Sequence, residues 1–291
     1  MMRNTAAFTL CTFNLRFATA PDGADAWPRR KPLLLDCLAR LAPDILCTQE
    51  AMPEQIDAIR ARFPHWGMAG EGRFAGVVSP RPSEPAPGEH CAVFFQAERF
   101  RLEETQTRWL SATPDRPASL GPGADLPRIV TRVRLREQAS GRLLDVYNTH
   151  FHWGSTFTGF AVELLGHWLG DTPADVPVVL TGDFNVDAAG PEHAALTAPA
   201  LAGGRRLQDV FDALPGRQGT RHDFTGTARV CIDWILASSD LAVRRAWTDT
   251  WSRDGRYPSD HFPVVAELAA EVPQARPTDR FLSSPRELKQ R

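Results

Sequence analysis

Short apolar runs alternate with helix-like segments along this chain, without the regular strand–helix–strand rhythm of a parallel sheet. In chain order, strand-like runs occur at 8–15, 45–48, 92–95, 100–109, 129–135, 143–149, 178–180, 231–236 and 262–268. Helical spacing occurs at 29–41, 53–62, 158–169 and 191–196. This mixture predicts an α/β (α+β) fold in which two packed mixed β-sheets are flanked by helices.

No linker divides the chain, so residues 1–271 are expected to form one domain. Residues 272–291 combine prolines with many charges, and we expect a loosely packed C-terminal extension there. Two long loops rich in proline and glycine, 80–88 and 113–127, are long enough to form the rim or lid of a site.

Composition narrows the choice of partners and compartment. The formal net charge of −2 over 291 residues predicts no general attraction to polyanions. The five cysteines are an odd number without CxxC spacing, which indicates buried thiols in a reducing compartment. No apolar run approaches the length of a membrane span, and we predict a cytoplasmic location.

Polar residues stand where apolar strands meet loops. The run Thr181-Gly182-Asp183-Phe184-Asn185 follows the apolar residues 178–180, and Ser259-Asp260-His261 precedes the apolar residues 262–265. Carboxylate, carboxamide and imidazole groups at strand ends suit the activation of water and the binding of phosphate, often with a divalent ion. The pattern predicts a metal-assisted phosphoester hydrolase.

Two further strand ends carry oxygen donors. Glu50 ends an apolar strand, where a carboxylate is costly unless it is solvated or bound to a cation, and Mg²⁺ prefers oxygen ligands. A helix-capping or surface role is the alternative for Glu50. Asn14 occupies a comparable position, with a turn role as its alternative.

The histidines suggest an acid–base group. His150 ends the strand-like run 143–149, at the same sheet end as Asp183, where it is placed to donate to a phosphoryl oxygen. Asp233 lies in an apolar run and requires a partner, for which His261 is the candidate. Asp260 and His261 are adjacent in sequence, and adjacent strand side chains point to opposite faces, so we expect them to have different roles.

Six motifs in order carry a family resemblance. They are Thr12-Phe13-Asn14-Leu15-Arg16, Thr48-Gln49-Glu50, Asn148-Thr149-His150, Thr181-Gly182-Asp183-Phe184-Asn185, Ile232-Asp233-Trp234-Ile235 and Ser259-Asp260-His261. Together they resemble the endonuclease/exonuclease/phosphatase superfamily, and in particular an uncharacterised bacterial branch of it. The resemblance implies a four-layered α/β sandwich and a Mg²⁺-dependent phosphoesterase site, with Mn²⁺ as the alternative ion.

The resemblance also implies roles for individual residues. Glu50, with Asn14 and Asp260 nearby, would hold the metal directly or through water. Asp183 would orient or deprotonate the attacking water, and Asn185 would bind phosphate. His261, supported by Asp233, would contact the phosphoryl group or act as acid or base.

One segment departs from the family pattern. Relatives commonly have an acidic residue and a histidine after the first histidine, whereas this chain reads His150-Phe151-His152-Trp153-Gly154. Relatives also commonly carry an arginine early in the next helix, but no Lys or Arg occurs between Phe151 and Asp175. His152, Trp153 or Arg128 would replace that phosphate contact, with simple packing as the alternative for Trp153. The stretch Gly219-Thr220 with His222 and Phe224 is similar to the bacterial branch, and it adds His222 as a candidate substrate-binding residue.

The substrate stays open at this point. The chain lacks a basic track, which favours a small, sugar-like or lipid-like phosphoester, either a monoester or a diester, over nucleic acid. An endonuclease or exonuclease acting on DNA or RNA is the alternative. A non-catalytic binding module is disfavoured because Glu50, Asp183, Asn185 and His261 are all present.

Overall fold

The computed structural model describes residues 7–201, 204–212, 214 and 216–270. The strands are β1 (Phe8–Asn14), β2 (Ile45–Gln49), β3 (Trp66–Ala69), β4 (Val93–Gln96), β5 (Phe100–Trp109), β6 (Ile129–Glu137), β7 (Leu143–His150), β8 (Val178–Asp183), β9 (Leu207–Asp209), β10 (Asp233–Ser238), β11 (Leu241–Thr248) and β12 (Val264–Ala270). The helices are α1 (Trp27–Leu41), α2 (Pro53–Arg62), α3 (Ser155–Gly170) and α4 (Pro191–Thr197), with a 3-10 turn at Gly23–Asp25. The predicted extension at 272–291 lies outside the described residues.

The strands form two six-stranded mixed sheets. Their orders are β11-β12-β1-β2-β4-β3 and β5-β6-β7-β8-β10-β9. Each described sheet contains one parallel pair, β1 with β2 and β7 with β8, and its other pairings are antiparallel. The two parallel pairs pack against each other across the sandwich, which confirms the predicted architecture of two packed mixed sheets.

Three apolar layers hold the sandwich together. Alternate residues of the central strands, such as Leu10 of β1 and Val146 of β7, form the core between the sheets. The remaining residues of β1, such as Phe13, pack under α1 and α2. Helices α3 and α4 cover the outer face of the second sheet. Because the central strands are buried on both faces, they read as nearly continuous apolar runs in the sequence.

A buried polar network joins the two sheets near one end of the sandwich. The Gln49 amide donates to Asn148 Oδ1 at 2.7 Å and to Thr12 Oγ1 at 3.0 Å. The Asn148 amide donates in turn to the carbonyls of Thr48 and Ala92, at 2.9 and 3.0 Å. Since buried polar groups are costly unless they are paired, this network fixes how the strand ends of one sheet face those of the other.

The sequence reading missed the strands β3, β9 and β11. All three lie at the edges of their sheets, where one flank is unpaired and the apolar signal weakens. Strand β11 exposes Arg244 and Arg245 along its length, as expected for a protected edge. All five cysteines are buried and free, as predicted. Within the described part of the chain, no helix combines the length and apolarity needed to cross a bilayer.

Candidate active site

Four strands end at the same place. Asn14 and His150 are the last residues of β1 and β7, Asp183 is the last residue of β8, and Glu50 directly follows β2. The glycine before Asp183 permits this convergence, because a Cβ on Gly182 would lie 2.0 Å from the Thr149 carbonyl oxygen on β7. Gly182 also has a φ of +148°, which side chains rarely allow.

Two carboxylates meet around one amide nitrogen. Asn14 Nδ2 donates to Glu50 Oε1 at 3.1 Å and to Asp183 Oδ2 at 2.9 Å. The second Glu50 oxygen accepts from the Phe17 backbone N–H at 2.9 Å. Glu50 has a left-handed backbone, with φ of +56°, a conformation that non-glycine residues keep mainly where the surroundings enforce it. Glu50 is thereby aimed at Asp183.

The hydrogen bonds of Asn14 favour a positioning role over its predicted role as a metal ligand. Its Oδ1 accepts from the Arg16 backbone N–H at 2.9 Å, so the amide turns its nitrogen, which cannot bind a cation, toward the two carboxylates. Asn14 therefore positions Glu50 and Asp183.

The predicted partnership between Asp233 and His261 is present. His261 Nδ1 lies 2.8 Å from Asp233 Oδ2. Burial lowers the pKa of His261, but the charge and hydrogen bond of Asp233, followed by the charges of Asp183 and Asp260, raise it to about 10. The imidazole is thus a cation at neutral pH, and its Nε2 lies 3.9 Å from Asp183 Oδ2.

The strand argument for Asp260 and His261 is wrong. Strand β12 begins only at Val264, so both residues lie in the preceding loop and the alternation of strand faces does not apply. The loop is held by pairing with 220–222, in which His222 N–H donates to the Asp260 carbonyl at 2.8 Å. Both side chains line the same pocket.

The second imidazole of the site, that of His150, is uncharged. Burial, with the nearby charges of Arg128 and Arg73, lowers the pKa of His150 well below its usual value. His150 is therefore neutral, and its Nε2 lies 3.0 Å from Asn185 Nδ2, which also donates to the Phe151 carbonyl at 2.9 Å. Asn185 is anchored by its backbone N–H, which donates to Asp183 Oδ1 at 2.9 Å.

Asp183 has a pKa well above the usual value of an aspartate. Burial and then the charge of Asp233, its cross-strand neighbour, raise its pKa to about 7. The charge of His261 and the hydrogen bonds from Asn14 and Asn185 oppose this rise. A general base works best when its pKa is near the operating pH, and Asp183 meets that condition.

One set of groups is spaced to hold a cation, and further carboxylates line the pocket beside it. Asp183, Asp233 and His261 have donor atoms within 4.8 Å of one another. In this set, however, Asp233 Oδ2 is already hydrogen-bonded to His261 Nδ1 at 2.8 Å, which leaves fewer free donor atoms for a cation. On the other side of Asp183, the carboxylates of Glu50 and Asp260 face the pocket. Hard oxygen donors with excess negative charge fit a divalent cation.

The pocket above these groups has a volume of about 240 Å³. It is lined by predicted residues, namely Glu50, Arg128, His150, Trp153, Asp183, Asn185, Asp260 and His261. Sequence reasoning missed other residues of its wall, namely Arg16, Arg73, Arg81, Glu84, Glu89 and Arg221. Nothing in the local sequence pattern of Arg73 or Glu89 indicates that these residues share one wall.

Arg128 is the unusual cation of the pocket. Its side chain is 7% exposed, and its Nε has no hydrogen-bond partner among the described residues. Burial and the charge of neighbouring Arg73 lower its pKa. By contrast, Arg73 is held by Glu84 and, at 2.8 Å, by Glu89. A buried guanidinium with an unused donor beside a pocket is suited to an anionic ligand.

The remaining predicted residues lie in different places relative to the pocket. His152 lies on the rim, with Nε2 2.7 Å from Asp125, and Trp153 stands exposed at the pocket mouth. His222 is not brought to the pocket: its ring stacks on Phe262 with centroids 3.9 Å apart, and burial lowers its pKa to about 4. His222 is therefore a packing residue beneath the loop of Asp260 and His261.

We expect Asp233→Asn to shift the alkaline limb of the pH–rate profile to lower pH. The His261 cation exists below about pH 10 and is lost above it. Without the Asp233 charge, burial dominates and the pKa falls, so the cation is lost at lower pH. Profiles of kcat/KM measure the shift. Asp209→Asn is the matched control, since Asp209 pairs with His193 at 2.7 Å outside this pocket. An unmoved alkaline limb contradicts the pairing.

Comparison with known proteins agrees with this geometry. The family model described as Endonuclease/Exonuclease/phosphatase family matches residues 11–261. A family protein of Bacteroides thetaiotaomicron superposes with a TM-score of 0.82 at 29% identity, covering 92% of this chain and 100% of the other. The mannosyl-6-phosphatase of Bacteroides thetaiotaomicron VPI-5482 superposes with a TM-score of 0.79 at 30% identity, covering 90% and 99%.

Curated relatives include Nocturnin of Homo sapiens, which is 24% identical over 281 residues, or 87% of this chain. The chain spans 61% of the human protein's length and 29% of the length of Nocturnin from Drosophila melanogaster. The motifs, the two-sheet sandwich and the match over residues 11–261 lead to one conclusion. The chain belongs to the Endonuclease/Exonuclease/phosphatase family.

Proposed function

We propose that this protein is a Mg²⁺-dependent hydrolase of a small phosphoester. One observation carries the proposal: the carboxylates of Glu50, Asp183 and Asp260, the cationic His261 and the unpaired Arg128 all face one pocket. Oxygen donors and anion-binding cations in one cavity match the two needs of phosphoryl transfer, a cation site and a phosphate site.

The side chains divide the work as follows. Glu50, Asp260 and Asp183 would hold the divalent cation, which would supply charge neutralisation on the phosphoryl oxygens. Asp183 accepts the proton of the attacking water. His261 donates a hydrogen bond to a phosphoryl oxygen, while Asp233 keeps it charged and oriented. When substrate binds, Asn185 turns one of its two amide hydrogens from His150 to the phosphate, and Arg128 pairs with the phosphate's negative charge.

The pocket favours a small substrate. Its volume of about 240 Å³ is below the roughly 300–1,000 Å³ typical of sites for drug-sized ligands. The other arginines of its wall are neutralised, as in the pairs of Arg16 with Asp22 and of Arg81 with Asp125. No continuous cationic track for a polymer results. The similar mannosyl-6-phosphatase supports a sugar phosphate as the substrate class.

A substrate panel tests the proposal. Protein stripped of metal with EDTA is assayed with and without added Mg²⁺ or Mn²⁺ on glucose 6-phosphate, glycerol phosphate, bis-p-nitrophenyl phosphate, single-stranded DNA and RNA. We expect metal-dependent release of phosphate, with the small esters preferred. Preference for DNA or RNA supports the nuclease alternative, and hydrolysis of none of them supports a binding module.

A further inference from the structure

Trp153 stands apart from the other aromatic residues. Its side chain is 53% exposed, and it is the only aromatic among the large exposed apolar side chains of the described residues. Trp27, for example, is buried. Trp153 lines the pocket that holds Asp183 and His261. An exposed indole at the mouth of this pocket offers an apolar face with a polar N–H to a bound ligand.

The Trp153 ring is held in place by Arg221, which pairs through its backbone with His261. The Arg221 guanidinium lies 5.2 Å from the ring centroid, within the range of a cation–π contact. Arg221 is itself fixed by Asp223 at 2.9 Å and by backbone bridging to His261. The indole therefore keeps a defined position relative to the group that contacts the phosphate.

The rim beside the indole offers hydrogen-bonding groups. His152 Nδ1 lies 2.7 Å from the Trp153 carbonyl, and its Nε2 lies 2.7 Å from Asp125. Asp125 also accepts from Arg81 at 2.9 Å. Three loops are thereby joined at the mouth by one imidazole, one carboxylate and one guanidinium. Hydroxyl groups both donate and accept, so a ring with several hydroxyls matches this rim.

We propose that Trp153 is a specificity-determining residue that packs against the ring of a hexose-like leaving group. The inference rests on the proposed hydrolysis of a small phosphoester and names the substrate class of the same pocket. A hexose ring has apolar C–H faces for the indole and hydroxyls for the rim. A volume of about 240 Å³ accommodates one such ring beside a phosphate.

The test separates binding from turnover. Calorimetry measures binding of glucose 6-phosphate, glycerol phosphate and adenosine 5′-monophosphate to the wild type, Trp153→Ala and Trp153→Phe. Turnover of the same three esters is measured with Mg²⁺. We expect Trp153→Ala to weaken binding and raise KM for glucose 6-phosphate by about 10-fold, the size typical of one lost stacking contact. We expect Trp153→Phe to recover most of that loss, and the loss on ring-free glycerol phosphate to be smaller.

Trp168→Ala is the matched control. Trp168 also carries an arginine against its ring, Arg108 at 5.4 Å, but lines a separate cleft. Equal losses on the hexose and glycerol esters, or unchanged values for both, overturn the inference while metal-dependent turnover sustains the proposed function. Preference for adenosine 5′-monophosphate overturns the hexose assignment. Hexose phosphate binding that depends on Trp153, without turnover of any ester, supports the inference and contradicts the proposed hydrolysis.

Discussion

Asp183→Asn is expected to lower kcat by roughly 10²- to 10⁴-fold, the range typical of a lost general base. The amide has the same shape as the carboxylate but cannot take the proton of water, and it removes one of the negative charges that face the cation. In the wild type, burial and Asp233 raise the Asp183 pKa to about 7, so the group is able to exchange a proton near neutral pH. Initial rates at saturating substrate and Mg²⁺ measure the loss.

Asp187→Asn is the control for this variant. Asp187 lies four residues further along the chain, in the loop that follows β8. Its carboxylate accepts from the backbone N–H of Ala189 at 2.9 Å and of Cys231 at 3.2 Å. It does not line the pocket. We expect the control to keep activity within a few-fold of wild type. An Asp183→Asn protein that stays folded and retains more than a tenth of the wild-type kcat contradicts the role of Asp183.

His261→Ala is expected to lower kcat by about 10²- to 10³-fold, the typical cost of removing one donor to a developing oxyanion. The variant loses the cation that faces the phosphoryl group and leaves Asp233 buried without its partner. Because that second effect threatens folding, His261→Gln is measured beside it. Glutamine keeps a neutral donor at this position and loses the positive charge.

We expect His261→Gln to fold with a near-native thermal midpoint and still to lose most of its activity. His193→Ala is the control, since it breaks another Asp–His pair, that with Asp209, outside the pocket. Activity in His261→Gln equal to that of the His193→Ala control shows that the His261 charge has no part in the reaction.

The sequence predicted the central strands of the fold better than its edges. Runs such as those of β1 and β8 are buried on both faces and therefore read clearly. Strands β3, β9 and β11 lie at sheet edges, where short or polar segments are held by one neighbour, and the local pattern does not reveal them. The start of β12 was also placed too early, because the apolar residues Phe262 and Pro263 precede the strand.

The site shows the same division between local and distant information. The contact between Asp233 and His261 followed from one argument, that a buried carboxylate requires a partner. The Oδ1 contact of Asn14 with the N–H two residues further on matches the turn role given as its alternative, whereas the contacts of its nitrogen with Glu50 and Asp183 depend on distant parts of the chain. The pocket wall around Arg73, Glu84 and Glu89 comes from a loop that meets the strand ends only in three dimensions, so spacing along the chain carries no trace of it.

Diffraction data collected with Mn²⁺ test the central claim most directly, because the anomalous signal locates the ion. The claim is that side chains from distant parts of the chain converge on one divalent cation. We expect an anomalous peak in contact with the Glu50 carboxylate and beside Asp183, and its loss in Glu50→Gln. A peak elsewhere, or none at Mn²⁺ concentrations that support full activity, contradicts the account.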